Sequence, residues 1–183
     1  WFRQFNQRYC QCDVVDSFLV CLLTISLFFP PFYCVGPALA VIVRFFCKKE
    51  IFTQAMKLPG AKALMAFGVL LLLVTFVRGT GFNRVVAGGV VICLLLCLYF
   101  RQVMTLPLFH TCLDLFCAGG AITGLYGLIE KLINYGVAGF RGPSVFLNPN
   151  YFALMMVFTC ICAVVQLVQS NHWYLYAIVL CLG

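Results

Sequence analysis

The sequence predicts an all-α protein, a polytopic bundle of about seven membrane-spanning helices within 183 residues. The first observation is composition, because 64% of the residues are hydrophobic and only 9% are charged, whereas soluble domains are about half apolar and about a quarter charged. The second is that the apolar residues form long blocks, which would cover whole helices rather than one face. A chain of this length has no core large enough to hide several such helices, so we place them in a membrane.

The apolar blocks define the predicted spans in chain order. Residues 14–46 are too many for one span, and Pro30-Pro31 would break a helix by removing backbone donors. We interpret this block as two short helices, at about 14–29 and 35–46, joined by an outer turn; one kinked helix is the alternative. Further spans are predicted at about 62–77, 85–100, 105–130, 150–168 and 173–183.

The two ends of the sequence predict a fragment. The chain opens at Trp1, and its last apolar run stops at Gly183. This run is shorter than a spanning helix, which needs about 20 residues. We therefore expect residues 1–183 to form a single transmembrane domain that is the N-terminal portion of a longer protein.

Orientation follows from the lysines and arginines, which concentrate in cytoplasmic segments. The hairpin interpretation places eight of these 12 residues inside, namely Arg3, Arg8, Arg44, Lys48, Lys49, Lys57, Lys62 and Arg101. The four left outside are Arg78, Arg84, Lys131 and Arg141. The net charge of +7 is then mostly this topological bias, with some attraction to anionic lipids, and it requires no nucleic-acid partner.

The 12 cysteines do not predict a disulfide framework or a metal site. Most lie inside apolar spans, where cysteine packs as a small hydrophobe. The pairs Cys10/Cys12 and Cys160/Cys162 are spaced too closely for the usual zinc ligands.

Small residues in the 105–130 span predict a helix contact. Gly120 and Gly124 have GxxxG spacing, and small residues on one face let a second helix approach closely. In the same span His110 and Asp114 are spaced i, i+4 and could share a hydrogen bond. They are either working residues at membrane depth or interfacial anchors, and we interpret Glu130 and Lys131 as a polar interfacial end.

The outer loop at about 131–150 holds the candidate site. Arg141 precedes Gly142-Pro143, and Asn148-Pro149-Asn150 opens the next span, where Asn150 is expected to cap the helix. A guanidinium beside free helix N-terminal amides would form an anion site, and its planar fork suits phosphate oxygens. At the outer face of a membrane protein, this pattern indicates a lipid-linked phosphate or pyrophosphate.

The same loop carries a family resemblance. Residues 127–136, and then Phe140-Arg-Gly-Pro-Ser-Val-Phe-Leu-Asn-Pro-Asn-Tyr-Phe-Ala153, resemble the O-antigen ligase and O-antigen polymerase superfamily over about 25 residues. Two departures stand out. Gly142-Pro143-Ser144 replaces the frequent Ser-Gly or Thr-Gly pair, and the family's large periplasmic loop, which follows this region, is not in the sequence.

The resemblance implies a GT-C-like glycosyltransferase of the bacterial inner membrane. Such enzymes move a glycan from an undecaprenyl-pyrophosphate donor to an acceptor at the periplasmic face, where the acceptor is lipid A–core, another glycan or a protein hydroxyl. No metal or other cofactor is expected. Arg141 would stabilise the departing pyrophosphate, with Asn148, Asn150 and Ser144 as candidate substrate-binding residues, and this part of the protein would be inactive alone.

Two alternatives remain open at this point. One is a transporter or flippase for a lipid-linked or small anionic solute, in which the loop binds an anion without chemistry. The other is a scaffold or assembly subunit whose glycine-rich helix docks a partner.

Overall fold

The computed structural model describes residues 13–137, 142, 144–146, 148–169 and 173–182. Their regular structure is helical, and the described ranges contain no strand. The α-helices are α1 (Val14–Ser26), α2 (Val35–Cys47), α3 (Lys49–Met56), α4 (Ala61–Arg78), α5 (Gly81–Val103), α6 (Leu106–Ile133), α7 (Pro149–Gln169) and α8 (Trp173–Leu182). Two 3₁₀ turns, Pro31–Cys34 and Ser144–Phe146, precede α2 and α7.

Four helices, α4 to α7, are long and apolar enough to cross a membrane, and they indicate a membrane protein. Their positions confirm the predicted helices at 62–77, 85–100, 105–130 and 150–168 to within a few residues. The predicted count of about seven spans is not confirmed. The remaining apolar helices are short: α1 and α2 have 13 residues each and α8 has 10. Thirteen residues reach only about 20 Å, against about 30 Å of hydrocarbon.

The first apolar block is a helical hairpin, as predicted, and not one kinked helix. Residues 27–34 turn the chain, so the end of α2 returns to the start of α1, where Arg44 and Lys48 bind Asp13 and Asp16. The tip of the hairpin reaches α6, where the Phe28 ring packs on Gly119. The hairpin therefore ends beside the middle of α6.

A short helix, α3, lies between the predicted spans at 35–46 and 62–77, where the sequence predicted no helix. It is amphipathic, with Ile51 and Ala55 buried and Lys49 and Glu50 exposed. The buried side packs into the cluster around Val41, Phe45 and Tyr99, at the base of the hairpin. Eight residues show too little of a helical period to stand out beside the long apolar runs.

The GxxxG prediction is confirmed, and the partner helix is α7. Gly120, Gly124 and Gly127 are buried on α6. A Cβ at Gly120 would collide with the side chain of Thr159, and one at Gly127 would lie 2.7 Å from Cζ of Phe152. The small residues thus set the close approach of α6 and α7. These helices together hold the turn around Ser144–Phe146, which is named the outer turn after its predicted side of the membrane.

Candidate functional site

The outer turn before α7 is anchored to α6 through Ser144. The Ser144 backbone N–H donates to Oε2 of Glu130 at 3.0 Å, and its hydroxyl donates to the carbonyl oxygen of Thr123, also at 3.0 Å. Ser144 is buried and has a φ of +51°. A non-glycine residue pays about 1–2 kcal/mol for this left-handed conformation, so the two hydrogen bonds hold a turn that would otherwise relax.

Aromatic packing holds the rest of the turn. Phe146 is buried, and its ring stacks beside that of Phe152 on α7 with centroids 6.2 Å apart. The same cluster contains Phe28 at the hairpin tip and Met155 on α7. The turn is therefore wedged between α6, α7 and the hairpin.

The turn lies well inside the length of α6, a helix long enough to cross a membrane. Thr123 lies ten residues before Ile133, where α6 ends, which is roughly 15 Å along the helix axis at 1.5 Å per residue. Non-helical backbone at such depth is tolerated only where protein covers it or where it lines a water-filled space. On the side facing α6, the backbone of Ser144 is covered by protein.

Asn148, and not Asn150, caps α7, so the predicted cap was wrong. Oδ1 of Asn148 accepts the N–H of Asn150 at 2.9 Å, and the Asn148 carbonyl accepts the N–H of Phe152 at 3.1 Å. The physical reason is Pro149, because proline is favoured at the first helical position and the cap is the residue before it. Asn150 lies in the first turn with its side chain exposed.

Of the four predicted site residues, the structure places three. Arg141 lies outside the described residues, so the anion site that it was expected to form with the start of α7 remains a prediction. Ser144 and Asn148 have hydrogen-bonding roles within the protein, and Asn150 is open to the outside of the turn. Their binding of a substrate likewise remains a prediction.

A second polar cluster joins α6, α7 and α8. Nε2 of Gln166 donates to Oδ1 of Asp114 at 2.5 Å and to the carbonyl of His110 at 3.3 Å, while Tyr176 Oη donates to the same Asp114 oxygen at 2.6 Å. Oε1 of Gln166 can then only accept, so Nδ1 of His110, 3.0 Å away, is the donor. The i, i+4 spacing of His110 and Asp114 suggested a direct hydrogen bond between them. The structure instead connects the two residues through Gln166.

A third cluster closes the base of the hairpin. Asp16 is 2% exposed and accepts from Arg44 Nε at 2.8 Å, Lys48 Nζ at 3.0 Å and Tyr99 Oη at 2.9 Å. The partly exposed carboxylate of Asp13 accepts from Arg44 at 2.6 Å and from Lys48 at 3.3 Å. Two carboxylates balance two cations, which allows this group to lie against the apolar core.

Sequence reasoning missed the partners in both clusters. Gln166 is a polar residue inside an otherwise apolar run, which is the signal that could have marked it. Asp13 and Asp16 lie at the start of α1, and Arg44 and Lys48 lie at the end of α2. A hairpin brings these two ends together, so the predicted hairpin implied their pairing.

Candidate metal ligands do not gather in the part of the chain that the structure describes. There, no three His, Cys, Asp or Glu side chains are placed to share an ion. The ten cysteines of those ranges are free thiols.

Comparisons with known proteins add no relative, since the chain matches no protein-family model, no curated protein and no solved structure.

Proposed function

We propose that the chain is the N-terminal part of an O-antigen ligase-like membrane glycosyltransferase. It would transfer a glycan from undecaprenyl pyrophosphate to an acceptor such as lipid A–core, at the periplasmic face of the bacterial inner membrane. The products would belong to lipopolysaccharide or another surface polysaccharide.

The observation that carries this proposal is the double anchoring of Ser144 to Thr123 and Glu130. A turn that only connects two helices needs no buried serine at positive φ and no carboxylate from the preceding helix. A turn that presents a charged group to a substrate needs such anchoring, because electrostatic catalysis depends on donors that are held in place before the reaction. Ser144 is three residues after Arg141 in the sequence, so the anchor restrains the segment that would carry the charge.

The proposed chemistry is a displacement at the anomeric carbon of the donor glycan. The acceptor oxygen forms a bond to that carbon, the bond from the carbon to the pyrophosphate oxygen breaks, and the acceptor proton leaves with a base. Negative charge develops on the departing pyrophosphate. Arg141 would stabilise that charge, and electrostatic stabilisation of this kind typically contributes several kcal/mol.

The other site residues have narrower proposed roles. Asn150, exposed in the first turn of α7, would hydrogen-bond the donor or the glycan. Asn148 and Ser144 would act through the backbone that they hold, since both are engaged within the protein. The N–H groups of Asn150 and Phe152 are bonded to Asn148, so the first turn of α7 would add to the arginine charge mainly through the helix dipole.

The test is glycan transfer by the intact protein carrying Arg141→Ala. We expect this variant to lose glycan transfer while its membrane insertion is unchanged. Arg141→Lys should retain little transfer, because lysine lacks the bidentate fork of arginine. Arg78→Ala is the matched control, since it removes an exposed arginine at the α4–α5 corner and should leave transfer intact. Wild-type transfer by Arg141→Ala would remove Arg141 from the mechanism.

One observation favours a second function, transport of a lipid-linked or small anionic solute. The hairpin tip at Phe28 and the turn at Ser144 approach the middle of α6 from opposite ends, at Gly119 and Thr123. Broken elements that meet at membrane depth are common in transporters. Reconstituted vesicles distinguish the two functions, because a flippase would move the lipid-linked donor across the bilayer without consuming it.

A further inference from the structure

A basic corner lies where α3 meets α4, away from the outer turn. Lys57 follows α3 and Lys62 belongs to the first turn of α4, and both are exposed. The two lysines and Thr53 line one cavity of about 670 Å³, whose remaining walls include the apolar side chains of Met56 and Leu58.

The lysines of this corner differ from the two cations at the base of the hairpin. Arg44 and Lys48 are neutralised by Asp13 and Asp16. Among the described residues, neither Lys57 nor Lys62 has a carboxylate within 4.0 Å. Two like charges that face one cavity repel each other. An anion between them would attract both and so offset the repulsion.

The corner also lies at the level of the lipid head groups. The membrane-length helix α4 begins at Ala61, and the short amphipathic helix α3 buries Ile51 and Ala55 while exposing its polar side. The apolar side of α3 packs on the protein core, so the head-group level of the corner follows from the start of α4, because the end of a spanning helix meets the head groups. The cavity therefore offers cationic and hydroxyl donors at head-group level with apolar walls beside them.

We propose that this cavity binds the phosphate of an anionic membrane lipid, of the phosphatidylglycerol class. Lys57 and Lys62 donate to the phosphate oxygens and Thr53 contributes a hydroxyl, while Met56 and Leu58 contact the glycerol and the upper acyl chains. Basic pockets beside membrane helices recognise anionic head groups in this manner. The site does not depend on the transferase activity proposed for the outer turn.

The first experiment uses the wild-type chain and a lysine-acetylating reagent, read by mass spectrometry. The chain is placed in nanodiscs of phosphatidylcholine alone, or of phosphatidylcholine containing phosphatidylglycerol. We expect phosphatidylglycerol to slow the acetylation of Lys57 and Lys62. Lys49, exposed on α3 but not lining the cavity, should react equally in both. Equal rates at Lys57 and Lys62 in the two discs would overturn the proposal.

The second experiment compares lysine variants by native mass spectrometry with phosphatidylglycerol. Each lysine near a membrane surface contributes ~1 kcal/mol, so Lys57→Gln and Lys62→Gln should each weaken binding about fivefold. Lys49→Gln removes the same charge from the start of α3, outside the cavity, and should leave binding near wild type. Lys57→Arg keeps the charge and should retain binding. Equal losses in all three glutamine variants would indicate a diffuse basic surface and overturn the proposal. Displacement of the lipid by inorganic phosphate would assign the cavity to a free anion instead.

Discussion

Arg44 donates from Nε to Oδ1 of Asp16 over 2.8 Å and so joins two helix ends that are 28 positions apart in the chain. Tyr99 donates to the same oxygen from α5, a further helix. The contact therefore closes the hairpin and fastens it to the bundle at one point. Its consequences can be measured directly.

Replacing Asp16 by asparagine should destabilise the hairpin. The change leaves Arg44 and Lys48 with a neutral partner in a largely buried position, and removing one partner of a buried ion pair costs about 3 kcal/mol or more. The free energy of unfolding, measured by denaturant titration in detergent micelles, should fall by about that amount. Asp13→Asn is the control, because the side chain there is 38% exposed against 2% for Asp16, and asparagine keeps the α1 cap. Equal effects of the two changes would contradict this assignment.

The stability of the hairpin should depend on pH at both ends of the range. The N–H of Val15 and then Lys48 lower the pKa of Asp13 below 3.8, so the stabilisation it provides is present above that value and is lost as the pH falls through the lowered pKa. The hydrogen bond to Asp16 raises the pKa of Lys48 above 10.5, so its contribution is present below that value and is lost as the pH rises further. Thermal unfolding at stepped pH should show a plateau between these limits, and Asp13→Asn should flatten its acid side.

Gly120 should tolerate no side chain. A Cβ at this position collides with Thr159 of α7, and overpacking of a close helix contact costs typically 1–3 kcal/mol. We expect Gly120→Ala to lower the unfolding temperature of the purified chain. Gly88→Ala is the matched control, since a Cβ there meets nothing within 4 Å and alanine is the better helix former. A loss as large at Gly88 as at Gly120 would show that the α6–α7 contact is not the cause.

Glu130→Ala should loosen the outer turn without unfolding α6. The variant removes the acceptor of the Ser144 N–H, and a hydrogen bond to a charged group contributes about 1.5–3 kcal/mol. Amide hydrogen exchange at Ser144 should therefore become roughly ten- to a hundredfold faster. Leu132→Ala, an exposed neighbour on the same helix, should leave the exchange rate unchanged. Unchanged exchange in Glu130→Ala would mean that the Thr123 contact alone holds the turn.

Asp114 and Tyr176 should be energetically coupled. Hydrogen bonds between membrane helices contribute on average about 0.6 kcal/mol and at most about 1.7 kcal/mol. A double-mutant cycle with Asp114→Ala and Tyr176→Phe should return a coupling energy in that range. The cycle with Tyr126→Phe, an exposed tyrosine on α6 about 18 Å along the axis from Asp114, should return none. A coupling energy of zero in the first cycle would contradict a stabilising hydrogen bond between Asp114 and Tyr176.

The sequence by itself determined the membrane helices. The four long spans, the hairpin at Pro30 and the Gly120 contact face could be located because helix length, proline breaks and small-residue spacing are local properties of the chain. The short α3 and the choice between Asn148 and Asn150 as a cap depend on one or two residues, and there the sequence was ambiguous or misleading.

Only the tertiary structure decided which polar side chains meet. Tyr99 lies 83 positions from Asp16, Tyr176 lies 62 positions from Asp114, and Ser144 lies 21 positions from Thr123. Helices that are apolar on every side carry no periodic pattern to indicate which face turns inward. In a membrane the apolar face can contact lipid as readily as protein, so close packing and hydrogen bonds between helices orient them, and those contacts exist only once the chain is folded.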